Sequence, residues 1–370
     1  MSNSTKKILF IAPVPPPLTG QAIACKALYD SFIRQGHAVE LVNLSKKSFV
    51  SGVDSYSRVL EIFKILKLVF KKKKDVDYVY FTPAESVAGN LKDLLIYLIL
   101  FNKLPVTFIH LHGGAGMKVI LSSKHPILKN INGFFIKRMK CVIVLGDRLS
   151  HIYKGLISES KIKIAKNFSL PDFFISPIEL KNKYQKIDTI KILFLSNLLP
   201  GKGYKELLCA LKALPVESLK NLQVDFAGGF EDEQAKEEFI KDISSYPQFH
   251  YHGVVAGEQK KRLLEDAHLF CLPTYYPYEG QPISILEAYA SGCAVMTTDH
   301  SGIFDIFTPD RNGIQVKPAD IDSITAALKS IVVDKDLLRK YAVLNAYEAR
   351  RFFKVEKHLA VMNDIINISK

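Results

Sequence analysis

Tryptophan is absent from the 370 residues, and cysteine is scarce. The five cysteines (Cys25, Cys141, Cys209, Cys271 and Cys293) are odd in number, scattered, and form no CxxC pair. That spacing argues against a disulfide framework and a cysteine-built zinc site, and for reduced thiols in a cytosolic protein. Long hydrophobic runs are missing too. The longest, Leu94 to Phe101, falls well short of the roughly 20 apolar residues that a spanning helix needs. Met1 to Lys7 is polar, and the run Ile8 to Val14 ends in prolines with no small-residue cleavage site, so a signal peptide is not expected. Neither GxxxxGK nor GxGxxG occurs, and no His/Cys/Asp cluster has metal-ligand spacing.

What is present is enough apolar material, 48%, for two cores of ordinary size. The formal net charge of +13 is unevenly spread. Met1 to Leu170 carries 26 Lys and Arg against 10 Asp and Glu, whereas Pro171 to the end carries 24 against 27. The asymmetry points to something acidic meeting the first half only.

Both halves alternate apolar strand runs with helical ones. ILFIAPV (Ile8 to Val14), AVELVNL (Ala38 to Leu44), Val76 to Thr82, Pro105 to Leu111, Cys141 to Leu145 and Ile162 to Ala165 are the strand runs of the first half. Pro171 to Ile190 breaks the rhythm with two prolines and a polar middle. The alternation restarts at Lys191 and looks helical from Asp336 to the end. The fold class expected is α/β, with two doubly wound Rossmann-like domains facing across a cleft. The boundaries expected are an N-terminal, acceptor-binding domain over 1–172, a linker over 173–190, and a nucleotide-binding domain over 191–344.

The most informative segment is PTYYPYEGQPISILEAYASGCAVMTT, Pro273 to Thr298. Pro282 suits the first position of a helix, because its fixed φ fits there and its missing N–H would be unpaired anyway. Glu279 then lies in the loop before that helix and Glu287 inside it. The amides around Gly280, Gln281 and Ile283 would meet an anion, since unpaired N–H groups and the helix dipole form a phosphate site without a metal. Beside a reacting sugar, Glu279 can stabilise positive charge at the anomeric carbon, and Glu287 can bind a ribose diol.

In these residues the chain resembles the retaining, nucleotide-sugar-dependent glycosyltransferases of family four, the two-Rossmann-domain GT-B type. The motif is E-GQPISIL-E from Glu279 to Glu287, followed by Ala288, Ala290 and Gly292 as A-x-A-x-G. The resemblance extends to bacterial polysaccharide-assembly members. It implies a retaining hexosyltransferase, a donor held mainly by the C-terminal domain with a UDP-sugar favoured over a GDP-sugar, no divalent metal and no further cofactor. It also implies that the first Glu lies by the donor sugar and the second holds the ribose. The tail, 345–370, would return to the N-terminal domain.

KILFLSNLLPGKG, Lys191 to Gly203, reads as a strand and a loop that can carry Lys202 to the same diphosphate, where a fixed cation stabilises the leaving group. The family pattern has Gly-Arg where Ser196 and Asn197 stand, and Asn cannot replace a bidentate guanidinium. Either Lys202 and backbone amides carry the diphosphate, or a cation such as Arg311 does. In the first half, Thr19 and Gly20 precede a helical run, and the family has a Gly-bearing loop there that faces phosphate or acceptor. His110 and His112 share one side of their strand if it persists. The family's His-Gly at this tip favours His112 as the residue positioning the donor sugar.

SRVLEIFKILKLVFKKKK, Ser57 to Lys74, combines a broad apolar band with a lysine cluster, as helices lying in an anionic membrane interface do. The expected partners are therefore a nucleotide-sugar donor, a glycan or polyprenyl-diphosphate-linked acceptor, and the inner face of the cell membrane, bound peripherally by a cytoplasmic protein. The competing readings are a nucleotide-sugar epimerase of the same fold and a basic nucleic-acid-binding protein. The second lacks any zinc motif, helix-turn-helix or RNP-like aromatic pair.

Overall fold

The computed structural model describes residues 5–45 and 55–367, so the first four residues and the last three of the tail lie outside the described residues. Two compact units emerge. One runs to Asn167 and takes in the chain again from Glu356, and the other spans Phe168–Val355.

The first unit holds a six-stranded sheet of β1 (Lys7–Ala12), β2 (Ala38–Asn43), β3 (Tyr78–Phe81), β4 (Thr107–His110), β5 (Cys141–Val144) and β6 (Ile162–Ile164). All pairings are parallel, in the order β2-β1-β3-β4-β5-β6. Period-two alternation explains why the strand runs are apolar throughout. Leu9, Ile11, Val79, Phe81, Ile109 and Val142 enter one apolar layer. Ile8, Phe10, Ala12, Tyr80, Phe108 and Ile143 enter the other, joined by Met362 and Ile366 of the helix Val355–Ile366. Those two buried side chains are what fasten the last helix to this unit.

The second unit has β7 (Ile190–Leu195), β8 (Leu222–Ala227), β9 (Phe249–Tyr251), β10 (Leu269–Leu272), β11 (Ala294–Thr298) and β12 (Gly313–Val316). They run parallel in the order β12-β11-β10-β7-β8-β9. The connections reverse direction between β7 and β10, and ligands of open parallel sheets gather outside the strand ends at such a reversal. The loop carrying Asn197 and Lys202 follows β7, and the loop carrying Glu279 follows β10.

Three sequence expectations need correction. Where a linker is expected over 173–190, the chain folds onto the second unit: Phe173, Ile175 and Tyr184 are buried. A helix runs over Pro177–Lys183, started by a reciprocal capping box between Ser176 and Glu179. Ser-Pro-x-Glu is a helix start to which Pro177 belongs, and Pro171 opens a short 3-10 turn before it. The C-terminal helix is not continuous. It stops at Phe352, Phe353 is buried and its carbonyl accepts from the Ser169 N–H at 2.8 Å, and a new helix begins at Val355. Lastly, Pro282 is the cap and not the first helical residue, with ψ at 120° ahead of the helix Ile283–Ala290.

Candidate active site

Gly201 and Gly203 both take left-handed backbone, at φ 86° and 85°. A Cβ on Gly203 would lie 2.3 Å from the Pro273 carbonyl oxygen, so only glycine lets this loop close on the one after β10. Between the two glycines, Lys202 extends to Glu279, Nζ to Oε2 at 2.7 Å, with both side chains about nine-tenths buried. The Thr274 hydroxyl donates to the same oxygen at 3.0 Å. The Lys202 ammonium also lies 4.5 Å from the centre of the Tyr276 ring. Ser301 donates to the Glu279 backbone carbonyl at 2.7 Å, and the Gly302 N–H to that of Gly280 at 3.1 Å, which fixes the loop from behind.

Gly280, Gln281, Pro282 and Ile283 follow, all buried. Among the described residues no acceptor takes up the N–H groups of Gly280 or Ile283. Further along the helix, Glu287 is 1% exposed. Its Oε1 accepts from Lys260 Nζ at 2.6 Å, and its Oε2 is buried without a hydrogen-bond partner. Buried polar atoms are rarely left unpaired in folded proteins, so Oε2 marks a place where a donor from outside the chain can bind. The second unit thus brings Lys202, Glu279, Gly280, Gln281, Pro282, Ile283 and Glu287 onto one loop-and-helix segment with its facing loop. Asn197 is half-buried at the end of β7, 3.9 Å from where a Cβ of Gly229 would stand. Arg311 is committed elsewhere: its Nε and Nη2 donate to Glu348 Oε1 at 3.0 and 2.6 Å.

Gly20 and His112 belong to the first unit. Gly20 opens the helix Gly20–Arg34, capped by the Thr19 hydroxyl, which accepts from the Ala22 N–H. His112 follows β4, its Nε2 at 3.4 Å from the Tyr80 hydroxyl and 3.7 Å from Cys25 Sγ. His110 lies beneath it, ring centres 4.0 Å apart, and its Nδ1 meets the same tyrosine at 2.8 Å. Burial pushes the His112 imidazole down to about 3 and His110 well below its ordinary value. Both rings are neutral at physiological pH, so His112 can offer hydrogen bonds but not a positive charge.

Sequence reasoning missed two residues. Lys260 sits in the first turn of the helix Gly257–Asp266, and a cation there opposes the helix dipole, which was the available signal. Glu85 lies under the loop after His112. A Cβ on Gly113 would stand 1.8 Å from Glu85 Oε1, so a side chain there would displace a carboxylate 28 positions earlier. Burial raises Glu85 to about 7, against the pull of the backbone N–H groups of Met117, Gly116, Gly114 and Gly113. Nothing in the local sequence announces that packing.

Among the described residues, no group of three or more His, Cys, Asp or Glu could hold a metal ion. Residues 178–349 match the family model of glycosyl transferases group 1. The second unit is thus similar to the group 1 glycosyl transferases over most of its length. An uncharacterized glycosyltransferase of Methanocaldococcus jannaschii is 25% identical over 90% of this chain and 90% of its own. The N,N'-diacetylbacillosaminyl-diphospho-undecaprenol alpha-1,3-N-acetylgalactosaminyltransferase of Campylobacter jejuni is 23% identical over 85% of each. The Anabaena HepE structure in complex with UDP and glucose superposes with a TM-score of 0.71, at 15% identity, over 98% of this chain and 99% of that one. That superposition establishes the GT-B fold, two Rossmann-like domains in one chain.

Proposed function

We propose that this chain is a glycosyltransferase that moves a hexose from a UDP-sugar to a glycan or polyprenyl-diphosphate-linked acceptor in cell-surface polysaccharide assembly, with retention of anomeric configuration and no divalent metal. The observation that carries the reading is the pair of buried glutamates on either side of a helix start where the Gly280 and Ile283 amides are unpaired among the described residues, one glutamate held by Lys202 and the other with a free oxygen. Unpaired amides and the helix dipole suit a diphosphate. Lys202, now neutralised by Glu279, would be shared with the β-phosphate as negative charge builds there. Glu279 would stabilise the anomeric carbon, Glu287 would accept from the ribose, and His112 would orient a sugar hydroxyl from the first unit, with the Gly20 loop beside it. Arg311 does not replace Asn197 in this scheme, because it is tied to Glu348.

In same-face transfer the bond from C1 to the diphosphate oxygen breaks and the bond from C1 to the acceptor oxygen forms. The acceptor's proton passes to the departing diphosphate. A glycosyl adduct on Glu279 or any other side chain, found by mass spectrometry of trapped enzyme, would overturn this route.

The first unit supports a lipid-linked acceptor and a peripheral position on the inner face of the membrane. Phe63 and Phe70 of the helix Ser55–Lys72 are each 65% exposed, and Leu91, Leu95 and Leu98 of the helix Val87–Ile99 are exposed as well. Lys64, Lys67, Lys71 and Lys74 are exposed among them. Only part of the lysine cluster is available, since Lys72 bonds the Leu41 carbonyl and Lys73 the Ile99 carbonyl, at 3.0 and 2.6 Å. Among the described residues no helix is long and apolar enough to cross a membrane. A nucleotide-sugar panel read by thermal stabilisation with EDTA present tests donor and metal need together. Stabilisation by UDP-sugars is expected, and a requirement for a divalent ion rejects the scheme.

A further inference from the structure

Glu287 is a buried carboxylate with one oxygen paired and one empty, and the partner that makes this possible is Lys260. We propose that Lys260 is a positioning residue for the donor: it orients Glu287 so that the carboxylate accepts both ribose hydroxyls of a nucleoside diphosphate. The proposal rests on the ribose reading of Glu287 above.

Three observations converge. A carboxylate 1% exposed cannot stand without compensation, and the Lys260 ammonium, 16% exposed and 2.6 Å away, supplies it. The ammonium is itself held, lying 5.1 Å from the centre of the Phe173 ring. A lysine in the first turn of the Gly257–Asp266 helix does not serve that helix, whose dipole it opposes. Counting lone pairs completes the case. A carboxylate offers about four acceptor positions, and Lys260 occupies one on Oε1. Both positions of Oε2 remain, with one on Oε1, enough for the two hydroxyls of a diol. Lys260 thus turns a buried charge into a directed acceptor without itself touching the ribose.

The test is calorimetric titration of UDP and 2′-deoxy-UDP into wild type, K260Q and E287Q. Wild type is expected to prefer UDP by roughly tenfold or more, the value of a hydrogen bond to a charged group. K260Q should lose most of that preference while binding 2′-deoxy-UDP as wild type does, which also shows that it is folded. A preference lost in E287Q but kept in K260Q overturns the role of Lys260 alone. A preference absent from wild type, or kept in E287Q, rejects Glu287 as the ribose residue and with it the reading beneath. If wild type ignores UDP, the uridine donor is wrong and the same comparison is made with GDP and 2′-deoxy-GDP. Should K260Q not fold, the double variant K260M/E287Q removes the charge pair together. No loss of preference beyond that of E287Q is expected, and an additional loss overturns action through Glu287.

Discussion

The two units share a parallel-sheet plan yet build their loops from opposite materials. In the second unit the functional segment is held by buried ion pairs, Lys202 with Glu279 and Lys260 with Glu287. In the first, the corresponding strand tips carry neutral buried groups: His110, His112 and Tyr80, with Glu85 raised to about 7. The excess positive charge of that half is spent on its surface, around the exposed residues of the Ser55–Lys72 helix. The difference teaches that net charge says little about a site. At these strand tips the near-neutral half places paired charges, and the strongly basic half places neutral rings.

The largest effect that would sharpen this contrast is in the second unit. E279Q should lower kcat by roughly 10²- to 10³-fold with nucleotide affinity little changed, the signature of a charge needed in the transition state. A loss confined to KM would make Glu279 a binding residue instead. Next, K202M leaves Glu279 buried and unpaired and should cost about 3–5 kcal/mol in chemical denaturation, most of it recovered in K202M/E279Q. Equal stabilities of the three proteins would break the ion-pair account.

In the first unit the expected changes are smaller. H112A should reduce transfer about tenfold, the loss of one positioning hydrogen bond. The wild-type kcat profile should show no inflection near the ordinary histidine value of 6.5 that H112A removes, because burial holds this ring at about 3. An inflection that vanishes in H112A would place a charged imidazole where a neutral one is described. The smallest effect concerns Glu85, raised from 4.5 to about 7 by burial, so the folded unit holds a proton that the unfolded chain has released. Its contribution to stability is complete below about 4.5 and is lost as pH rises through about 7. Asp93, raised from 3.8 to about 6 by burial, acts in the same sense. E85Q should flatten the fall in melting temperature between these values, and a fall that is just as steep would show that Glu85 stays ionised.

Much of the layout was legible because it depends on local pattern. Short continuous apolar runs such as ILFI and LFCL, bounded by polar residues and proline, fit strands covered on both faces, and the spacing of Glu279, Pro282 and Glu287 already implies a loop and a helix start. Where local pattern misled, tertiary packing had taken over. Pro171 and Pro177 resembled a break but open a 3-10 turn and a capped helix, and Phe353 interrupts the last helical run because it is buried in the second unit while the next helix belongs to the first. Helix entry at Pro282 differs by one residue, within what end geometry allows.

By itself, then, the sequence determined the α/β class, two sheets, the motif and the loop that carries its cation, since each follows from periodicity, glycine and proline chemistry over a few residues. Only the tertiary structure decided which charge meets which. Lys202 and Glu279 are 77 positions apart, Lys260 and Glu287 are 27 apart, and Glu85 reaches a loop 28 residues on. Pairing at such separations is set by strand order and crossover direction, quantities that no local window of sequence contains.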